Sequence, residues 1–397
     1  MITTEQVRLA DYTTLHLGGP AGRFVSAETE DDLVATVRAA DAEAEPVLVL
    51  GGGSNLVVAD EGFPGVVVLA AAAGVEFTAD GDAVVVTAAA GQDWDELVQR
   101  CLAEELSGVE CLSGIPGRAG ATPIQNVNAY GQDVAHTITS VRAYDRLTDR
   151  IVQIAAADCG FGYRTSMFKR PPSGSTGGRL AGRGSAVGAP GSRSRGEVLN
   201  PAAATGRYVI LAVTFRLGVS PLSAPVRYGE LSRLLGVAEG ARVPAAEARA
   251  AVLQLRRGKG MVLDASDPDT RSAGSFFTNP VVDASQYEGL ARRVAGDGSG
   301  YDGSGGMAGL PHWPAEEGQV KLSAAWLIEH AGFGRGYRLA GDPEGARIST
   351  KHALALTNPG EGSTASLMGL ARQIRAGVRG AFGVELTNEP VLVGVAL

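Results

Sequence analysis

The chain has 397 residues, of which 45% are hydrophobic and 20% are charged, so it is long enough to form two or three globular domains. Its formal net charge of -8 argues against an electrostatic nucleic-acid-binding surface, but it leaves room for a local basic pocket that binds a phosphorylated small molecule. Three cysteines without a CxxC pair and five histidines without an HExxH motif predict neither a disulfide framework nor a metal site.

The N-terminal residues lack the basic and apolar regions of a signal peptide. The longest apolar run, at 66–75, is too short to span a bilayer. We therefore expect a cytoplasmic protein that does not enter a membrane.

The chain begins with alternating strand and helix patterns. A strand-like segment at 24–29 precedes a helical pattern over 30–42, and apolar segments follow at 46–58 and 65–69. This order is typical of a small α+β unit.

A second set of elements follows. Two strands with alternating polarity at 75–90 precede a helical pattern over 93–106, and further strands are expected at 138–155 and 207–217. The C-terminal third then predicts helices over 320–331 and 364–381, a strand at 353–357, and a final strand within the terminal sequence EPVLVGVAL.

Two stretches are rich in small residues. Residues 171–206 are dominated by Gly, Ser, Pro and Arg, cannot bury enough apolar surface to offset the cost of ordering, and are predicted to form a disordered, basic insertion. Residues 296–311 contain a formal GxGxxG at Gly298, Gly300 and Gly303, but no strand precedes it and no helix follows it. We therefore interpret it as a false match to a dinucleotide-binding fingerprint.

Two other glycine loops follow predicted strands. In LGGGSNLVV, Gly51 to Gly53 come directly after an apolar strand, where small residues let backbone N–H groups approach an anion. Alone, this cluster could equally be a tight strand connection. The loop SGIPGRAGATPIQNVNAYG at 113–131 adds four glycines and two prolines, and two such loops imply a long ligand with a diphosphate.

These loops, together with YRTSMFK, GSFFTNP and the terminal NEP, resemble the UDP-N-acetylenolpyruvoylglucosamine reductase family in order and spacing. The resemblance implies an α+β fold: a two-part FAD-binding region of the vanillyl-alcohol-oxidase-like (PCMH-type) flavin fold, followed by a C-terminal α/β substrate-binding domain. The corresponding boundaries are FAD-binding subdomains at 1–70 and 71–262 and a C-terminal domain at 263–397. It also implies NADPH-dependent, FAD-mediated reduction of a UDP-linked enolpyruvyl amino sugar in peptidoglycan synthesis.

The resemblance assigns FAD contacts to residues of both glycine loops and to one arginine. They are Gly51, Gly52, Gly53, Ser54, Asn55, Leu56, Ser113, Gly114, Ile115, Pro116, Gly117, Gly120, Ala121, Gln125, Asn126 and Arg256. Asn128 stands where the family's loop usually has glycine, and asparagine tolerates a left-handed backbone better than most residues.

Three residues are the implied catalytic groups. Arg164 would bind the substrate carboxylate, for which a guanidinium is well shaped, although it could instead form a structural ion pair. Ser275, between a glycine and two phenylalanines, would donate a proton to the enol carbon; its alternative is a buried hydroxyl bonded to a carbonyl. Glu389 would act as a carboxyl with a raised pKa, or else as a charge at a strand edge.

Five further residues match positions around the sugar nucleotide: Tyr228, Lys259, Asn279, Trp313 and His352. Trp313 stands where relatives with a mobile substrate-covering loop often have tyrosine, so it could stack on a ring but lacks the phenol. His352 could equally be structural, as a single histidine often is.

Two rival functions remain at this point. A flavin oxidase of the same fold often links its flavin covalently through His or Cys, and 113–131 contains no histidine. A catalytically inactive sugar-nucleotide sensor would be expected to lose Ser275 or Glu389, and both are present. We expect a monomer that binds UDP-enolpyruvyl sugar and NADPH and does not bind nucleic acid.

Overall fold

The computed structural model describes residues 2–4, 7–169, 205–296, 310–315, 318–360 and 362–397. The predicted disordered insertion lies outside the described residues, except for its last two. Of these, Thr205 donates its N–H to Val47 O at 3.1 Å and accepts at its hydroxyl from Val49 N at 2.6 Å. The false GxGxxG match also lies outside the described residues.

The N-terminal sheet contains four strands, three of them parallel. In spatial order they are Ile2–Thr4 (β1), Ala21–Ala27 (β2), Phe63–Ala70 (β5) and Val47–Leu50 (β3). Helix α1 (Glu30–Ala42) connects β2 to β3 and begins where the Thr29 side chain accepts from Asp32 N. The predicted helix over 30–42 is confirmed, because its apolar residues recur on one face and pack on this sheet.

The second sheet is antiparallel. Its order is Arg150–Ala155 (β12), Ile138–Asp145 (β11), Tyr208–Val219 (β13), Ala83–Ala89 (β7) and Val75–Asp80 (β6), with Leu106–Ser107 (β8) also pairing with β13. Helix α2 (Trp94–Ala103) packs against it through Trp94, Leu97 and Val98. The short strands Asn128–Ala129 (β9) and Gln132–Asp133 (β10) form a hairpin beside it.

Two helices that the sequence patterns did not predict, Gly229–Leu235 (α3) and Ala245–Gly258 (α4), pack together on a small core with Cys111. Helix α4 is rich in alanine and arginine, so its apolar face is narrow.

Within its described residues, the C-terminal region contains two three-stranded antiparallel sheets and three helices. The first sheet has the order Ser272–Ser275 (β14), Ala355–Thr357 (β19) and Arg347–Ile348 (β18), and the second Val281–Asp283 (β15), Gln319–Leu322 (β17) and His312–Pro314 (β16). The helices are Ala284–Gly296 (α5), Ala324–His330 (α6) and Thr364–Phe382 (α7). The predicted helix over 320–331 is wrong at its start, because β17 pairs on both sides and Ser323 caps α6.

The ends of the chain join the two halves of the molecule. The last strand, Val391–Val393 (β20), pairs in parallel with Leu56–Val58 (β4), directly after the first glycine loop. Leu15 and Leu17 pack in turn into the C-terminal core. None of the helices in the described ranges has the length and apolar character that a membrane crossing requires.

Candidate active site

The two glycine loops touch each other backbone to backbone. A Cβ added at Gly52 would lie 2.7 Å from Gly117 Cα, and one at Gly53, whose φ is +60°, would lie 1.8 Å from Tyr12 O. The Ser54 hydroxyl donates to Pro116 O at 2.8 Å. Side chains at Gly52 or Gly53 would therefore separate or distort the loops, so these glycines are required by the tertiary structure.

An arginine lies beside the second loop with a buried nitrogen that has no partner. A Cβ at Gly114, whose φ is +70°, would lie 3.5 Å from Arg256 Nε and 2.6 Å from Leu253 Cδ2. Within the described residues, Arg256 Nε is buried and makes no hydrogen bond, although Nη2 donates to Met261 O at 2.7 Å. A buried donor without a partner is costly. The glycine cradle and this donor together fit a bound FAD, which would supply acceptor atoms.

The other predicted FAD residues have varied environments. Gly120 packs on Ala90, since an added Cβ would lie 2.6 Å from Ala90 Cβ. Ala121 ends a short 3-10 helix, and Leu56 begins β4. Ser113 is buried, and its hydroxyl donates to Glu110 O at 2.6 Å.

Gln125 connects the first glycine loop to the predicted catalytic glutamate. Its Oε1 accepts from Asn55 Nδ2 at 3.1 Å, and its Nε2 lies 3.5 Å from Glu389 Oε1. Val391 N donates to Asn55 O at 2.9 Å, as part of the β4–β20 pairing. This pairing places Glu389 at the edge of the cofactor loops.

Glu389 is buried beside two cations. Its Oε1 lies 3.1 Å from Arg164 Nε. The Nε–H is not directed at that oxygen, since Arg164 Nε forms no hydrogen bond within the described residues. Burial raises the pKa of Glu389, and the charges of Arg164 and Lys169 only partly oppose the increase. Burial also lowers the pKa of Lys169, which donates to Arg164 O at 3.0 Å.

The loop that carries Arg164 is held by the second glycine loop. Arg164 has a left-handed backbone, with φ of +53°. Asn126 donates to Gly162 O at 3.1 Å and accepts from Ala135 N at 3.1 Å, so its side chain is occupied by the protein. Asn128 lies in β9 and is not left-handed; the non-glycine residues of this loop with a left-handed backbone are Asn126 and Tyr130. Asn128 therefore makes no use of the tolerance of asparagine for a left-handed backbone.

Ser275 ends β14 at an irregularity in the strand pairing. Ser275 lies opposite Ala355, and the register shifts at Gly274, whose φ is +73°. No atom lies within 4 Å of a Cβ added at Gly274, and no described residue hydrogen-bonds to Ser275 Oγ. Glu389 N donates to Phe276 O at 2.9 Å, which joins the segments that carry Ser275 and Glu389. The alternative interpretation of Ser275, a buried hydroxyl bonded to a carbonyl, is therefore not found among the described residues.

A second polar cluster, the tyrosine–lysine cluster, consists of Tyr130, Tyr228, Glu230, Lys259 and His352. Lys259 Nζ lies 2.5 Å from Glu230 Oε2 and 5.7 Å from the centre of the Tyr130 ring, which Tyr228 meets edge-on at 5.3 Å. Burial, with a further contribution from the positive charge of Lys259, lowers the pKa of His352 to about 4. His352 is therefore neutral at neutral pH.

Asn279 and Trp313 lie differently from the other predicted substrate residues. Asn279 Oδ1 accepts from Ala324 N at 3.0 Å and so satisfies the first N–H of α6. Trp313 is 44% exposed in β16, opposite Lys321 in β17. Lys321 Nζ lies 4.8 Å from the centre of the Tyr163 ring. Trp313 therefore shares a sheet face with a lysine that reaches the Arg164 loop.

Sequence reasoning missed several residues of this site. Tyr163 and Lys169 are the first and last residues of the YRTSMFK motif, so the motif itself was a usable signal for both. Tyr130 ends the second glycine loop, and Glu230 follows Tyr228 by two positions. Their contacts with Lys259 depend on the packing of α3 and α4, which no local pattern indicated.

Comparisons with known proteins agree with this arrangement. Residues 267–393 match the UDP-N-acetylenolpyruvoylglucosamine reductase C-terminal domain, and residues 21–154 match an FAD binding domain. UDP-N-acetylenolpyruvoylglucosamine reductase of Thermobifida fusca is 52% identical over 98% of this chain and 98% of its own length. The protein of the same name from Salinispora arenicola is 52% identical over 99% of this chain and 96% of its own length.

The crystal structure of UDP-N-acetylenolpyruvylglucosamine reductase from Thermus caldophilus is similar with a TM-score of 0.58 and 23% identity, covering 98% of this chain and 99% of that one. It shows a shared fold. The predicted fold class is confirmed: an FAD-binding region precedes the reductase's own C-terminal domain. With half of its residues identical to those of full-length relatives, the chain belongs to the UDP-N-acetylenolpyruvoylglucosamine reductase family.

Proposed function

We propose that this protein uses NADPH and FAD to reduce UDP-N-acetylglucosamine enolpyruvate to UDP-N-acetylmuramate, a step of peptidoglycan synthesis. The observation that carries the proposal is the pairing of β20 with β4, which brings Glu389 and Arg164 to the edge of the two glycine loops. When bound, FAD would accept a hydride from NADPH and supply it to the terminal carbon of the enolpyruvyl double bond.

Arg164 is assigned to the substrate carboxylate. Its Nε–H is not aligned with Glu389 Oε1 despite the 3.1 Å separation of the two heavy atoms, so one donor of the guanidinium is not used by that carboxylate. A guanidinium binds a carboxylate through two parallel hydrogen bonds. As hydride reaches the double bond, negative charge moves toward the substrate carboxylate, where Arg164 would stabilise it.

Glu389 is assigned to the same end of the substrate in its protonated form. A second negative charge beside the substrate carboxylate would oppose the build-up of charge, whereas a carboxyl proton would stabilise it. The raised pKa of Glu389 supports this state. Gln125, which contacts Glu389 and Asn55, would hold the carboxyl in place.

Ser275 is assigned to the proton that completes the reaction on the carbon next to the carboxylate. Its hydroxyl has no partner in the described residues, and the backbone beside it is open at Gly274. The buried rings of Phe276 and Phe277 exclude water on one side. His352, with a pKa of about 4, is a poor candidate for this donor at neutral pH.

Lys259, Tyr228, His352, Asn279 and Trp313 are assigned to the sugar nucleotide. Lys259 is the one among them with a positive charge, and its Nζ lies over the Tyr130 ring, which the Tyr228 ring meets edge-on. A diphosphate suits such a cation. We further propose that the protein works as a monomer in the cytoplasm and does not bind nucleic acid, and that the domain boundaries are those stated above.

An anaerobic experiment tests the proposal. Purified yellow protein should be bleached by stoichiometric NADPH and should recover its flavin absorbance on addition of the UDP-enolpyruvyl sugar. Recovery only on addition of oxygen, with no product from the sugar nucleotide, would instead support a flavin oxidase. Tight binding of the sugar nucleotide with no bleaching by NADPH would support a sensor.

A further inference from the structure

Asp95, on the first turn of α2, is the centre of a hydrogen-bond network behind the second glycine loop. Its carboxylate accepts from Arg249 at both oxygens, with Nη1 to Oδ1 and Nη2 to Oδ2 each at 2.7 Å. Oδ1 also accepts from Gly114 N at 2.6 Å, and Oδ2 from Gln99 Nε2 at 3.1 Å. One carboxylate thus joins α2, α4 and the loop.

The face of α4 that carries Arg249 also carries Arg256, the predicted flavin contact. Arg249, Leu253 and Arg256 are spaced by four and three residues, so their side chains project from one side of the helix. Leu253 and Arg256 both approach the position that a Cβ at Gly114 would occupy. Asp95 therefore holds Gly114 directly and, through Arg249, the helix that places Arg256 next to Gly114.

Gly114 needs such an anchor because its backbone is left-handed, with φ of +70°. Glycine gains more freedom than any other residue when it is released, so a loop with four glycines is not rigid by itself. Burial raises the pKa of Asp95, but the hydrogen bonds from Arg249 and Gly114 outweigh it and hold the pKa below its usual value. The network thus keeps its charge near neutral pH.

We propose that Asp95 is a positioning residue for FAD, which fixes the Gly114 amide and Arg256 without touching the cofactor. The proposal rests on FAD binding by this family member. It assigns a cofactor-related role to an aspartate that would otherwise be regarded as half of a structural ion pair.

The test measures FAD dissociation from the holoenzyme, by the rise in flavin fluorescence on dilution. Asp95→Ala removes the acceptor of Gly114 N and leaves Arg249, which is 15% exposed, without its partner. We expect the Kd for FAD to rise about 30-fold, the effect of losing charge-assisted hydrogen bonds. Asp95→Asn keeps an oxygen acceptor for Gly114, so its Kd for FAD should rise only about fivefold. This variant replaces Asp95→Ala in the test if the alanine variant does not fold.

Asp41→Ala is the matched control. Asp41 forms a comparable two-point pair with Arg146, at 3.0 and 2.5 Å, on α1 and away from both glycine loops. It should lower the melting temperature like Asp95→Ala while leaving the Kd for FAD within twofold of the original protein. Equal changes in melting temperature with no difference in Kd between the two variants would overturn the proposal.

Two further measurements distinguish positioning from general destabilisation. A positive charge near the flavin favours its reduction, so Arg256→Met should lower the flavin midpoint potential, and it should lower it less in the Asp95→Ala background, where Arg256 is already displaced, than in the Asp41→Ala background. The double variant Asp95→Ala/Arg256→Met should show less than the sum of the single effects on Kd. Additive effects would mean that Asp95 does not act through Arg256. Failure of the original protein to bind FAD would instead contradict the proposed function.

Discussion

The cofactor side and the substrate side of this site differ in the groups that form them: backbone atoms of glycines on the first, and charged side chains on the second. On the cofactor side, backbone meets backbone at Gly52 and Gly117, and glycines are required by space and by φ. On the proposed substrate side, charged side chains lie against internal partners: Arg164 beside Glu389, and Lys259 in an ion pair with Glu230. The first arrangement is already formed by contacts within the protein, whereas the second holds its charges with internal partners that a ligand has to replace or share.

The difference has a physical origin. FAD stays bound through each reaction cycle, so a preformed cradle costs little and avoids ordering a loop at each turnover. The sugar nucleotide enters and leaves, and its charges need counter-ions that are not left unpaired in its absence. Variants on the two sides should therefore have separable effects.

The largest effect should come from Ser275→Ala, which tests the substrate side alone. Loss of a positioned proton donor costs on the order of 10²- to 10⁴-fold, and this loss should fall on reoxidation of the flavin by the enolpyruvyl substrate. Flavin reduction by NADPH needs no proton from this hydroxyl and should keep its rate. Stopped-flow absorbance resolves the two halves; equal slowing of both would mean that Ser275 is a packing residue.

Gly52→Ala tests the cofactor side. Its Cβ would lie 2.7 Å from Gly117 Cα, and because neither atom belongs to a flexible side chain, the two loops must separate. We expect the Kd for FAD to rise about 100-fold, which corresponds to about 2.7 kcal/mol. Gly289→Ala is the control, since no atom lies within 4 Å of its added Cβ. Retention of FAD by Gly52→Ala would show that the loops tolerate separation and that close backbone contact between them is not required for FAD binding.

Glu230→Gln probes the internal partner of Lys259. If the ligand competes with Glu230 for Lys259, removal of the carboxylate charge should lower the KM for the UDP-linked substrate about fivefold, a change of about 1 kcal/mol. A rise in KM would mean that Glu230 orients Lys259 instead. Asp267→Asn, which removes the partner of Lys351 at 2.6 Å, should leave the KM unchanged.

Lys169→Met should shift the alkaline limb of the pH dependence of kcat to higher pH, with little change in the maximal kcat. The positive charge of Lys169 lowers the pKa of Glu389, so its removal lets that pKa rise further. A carboxyl with a higher pKa stays protonated to higher pH, and the alkaline limb of kcat should therefore move to higher pH. Arg38→Met, which removes a surface cation paired with Asp149, is the control for net charge. An unchanged or lowered limb would show that the protonated form of Glu389 is not the active one.

Much of the chain could be predicted locally. Helix α1 matches its predicted bounds because Thr29, which caps it, directly precedes the residues that carry its apolar periodicity. Residues 320–322 were mistaken for the start of a helix because VKL and the following AAWLIEH form one continuous apolar pattern; only pairing with β15 and β16 makes them part of a strand. Helix α4 was missed because its burial depends on contacts with the turn at Cys111.

By itself, the sequence determined the glycine loops and the family and singled out Arg164, Ser275 and Glu389 as candidate catalytic groups, because conformational freedom and side-chain chemistry are properties of single residues and short motifs. Only the tertiary structure decided which groups meet. Asn126 was expected at FAD but is used to hold the Arg164 loop, and Asn279 accepts from the first N–H of α6. The partners of Glu389 and Lys259 are separated from them by many residues along the chain, and such distances are closed by packing, which a local pattern does not encode.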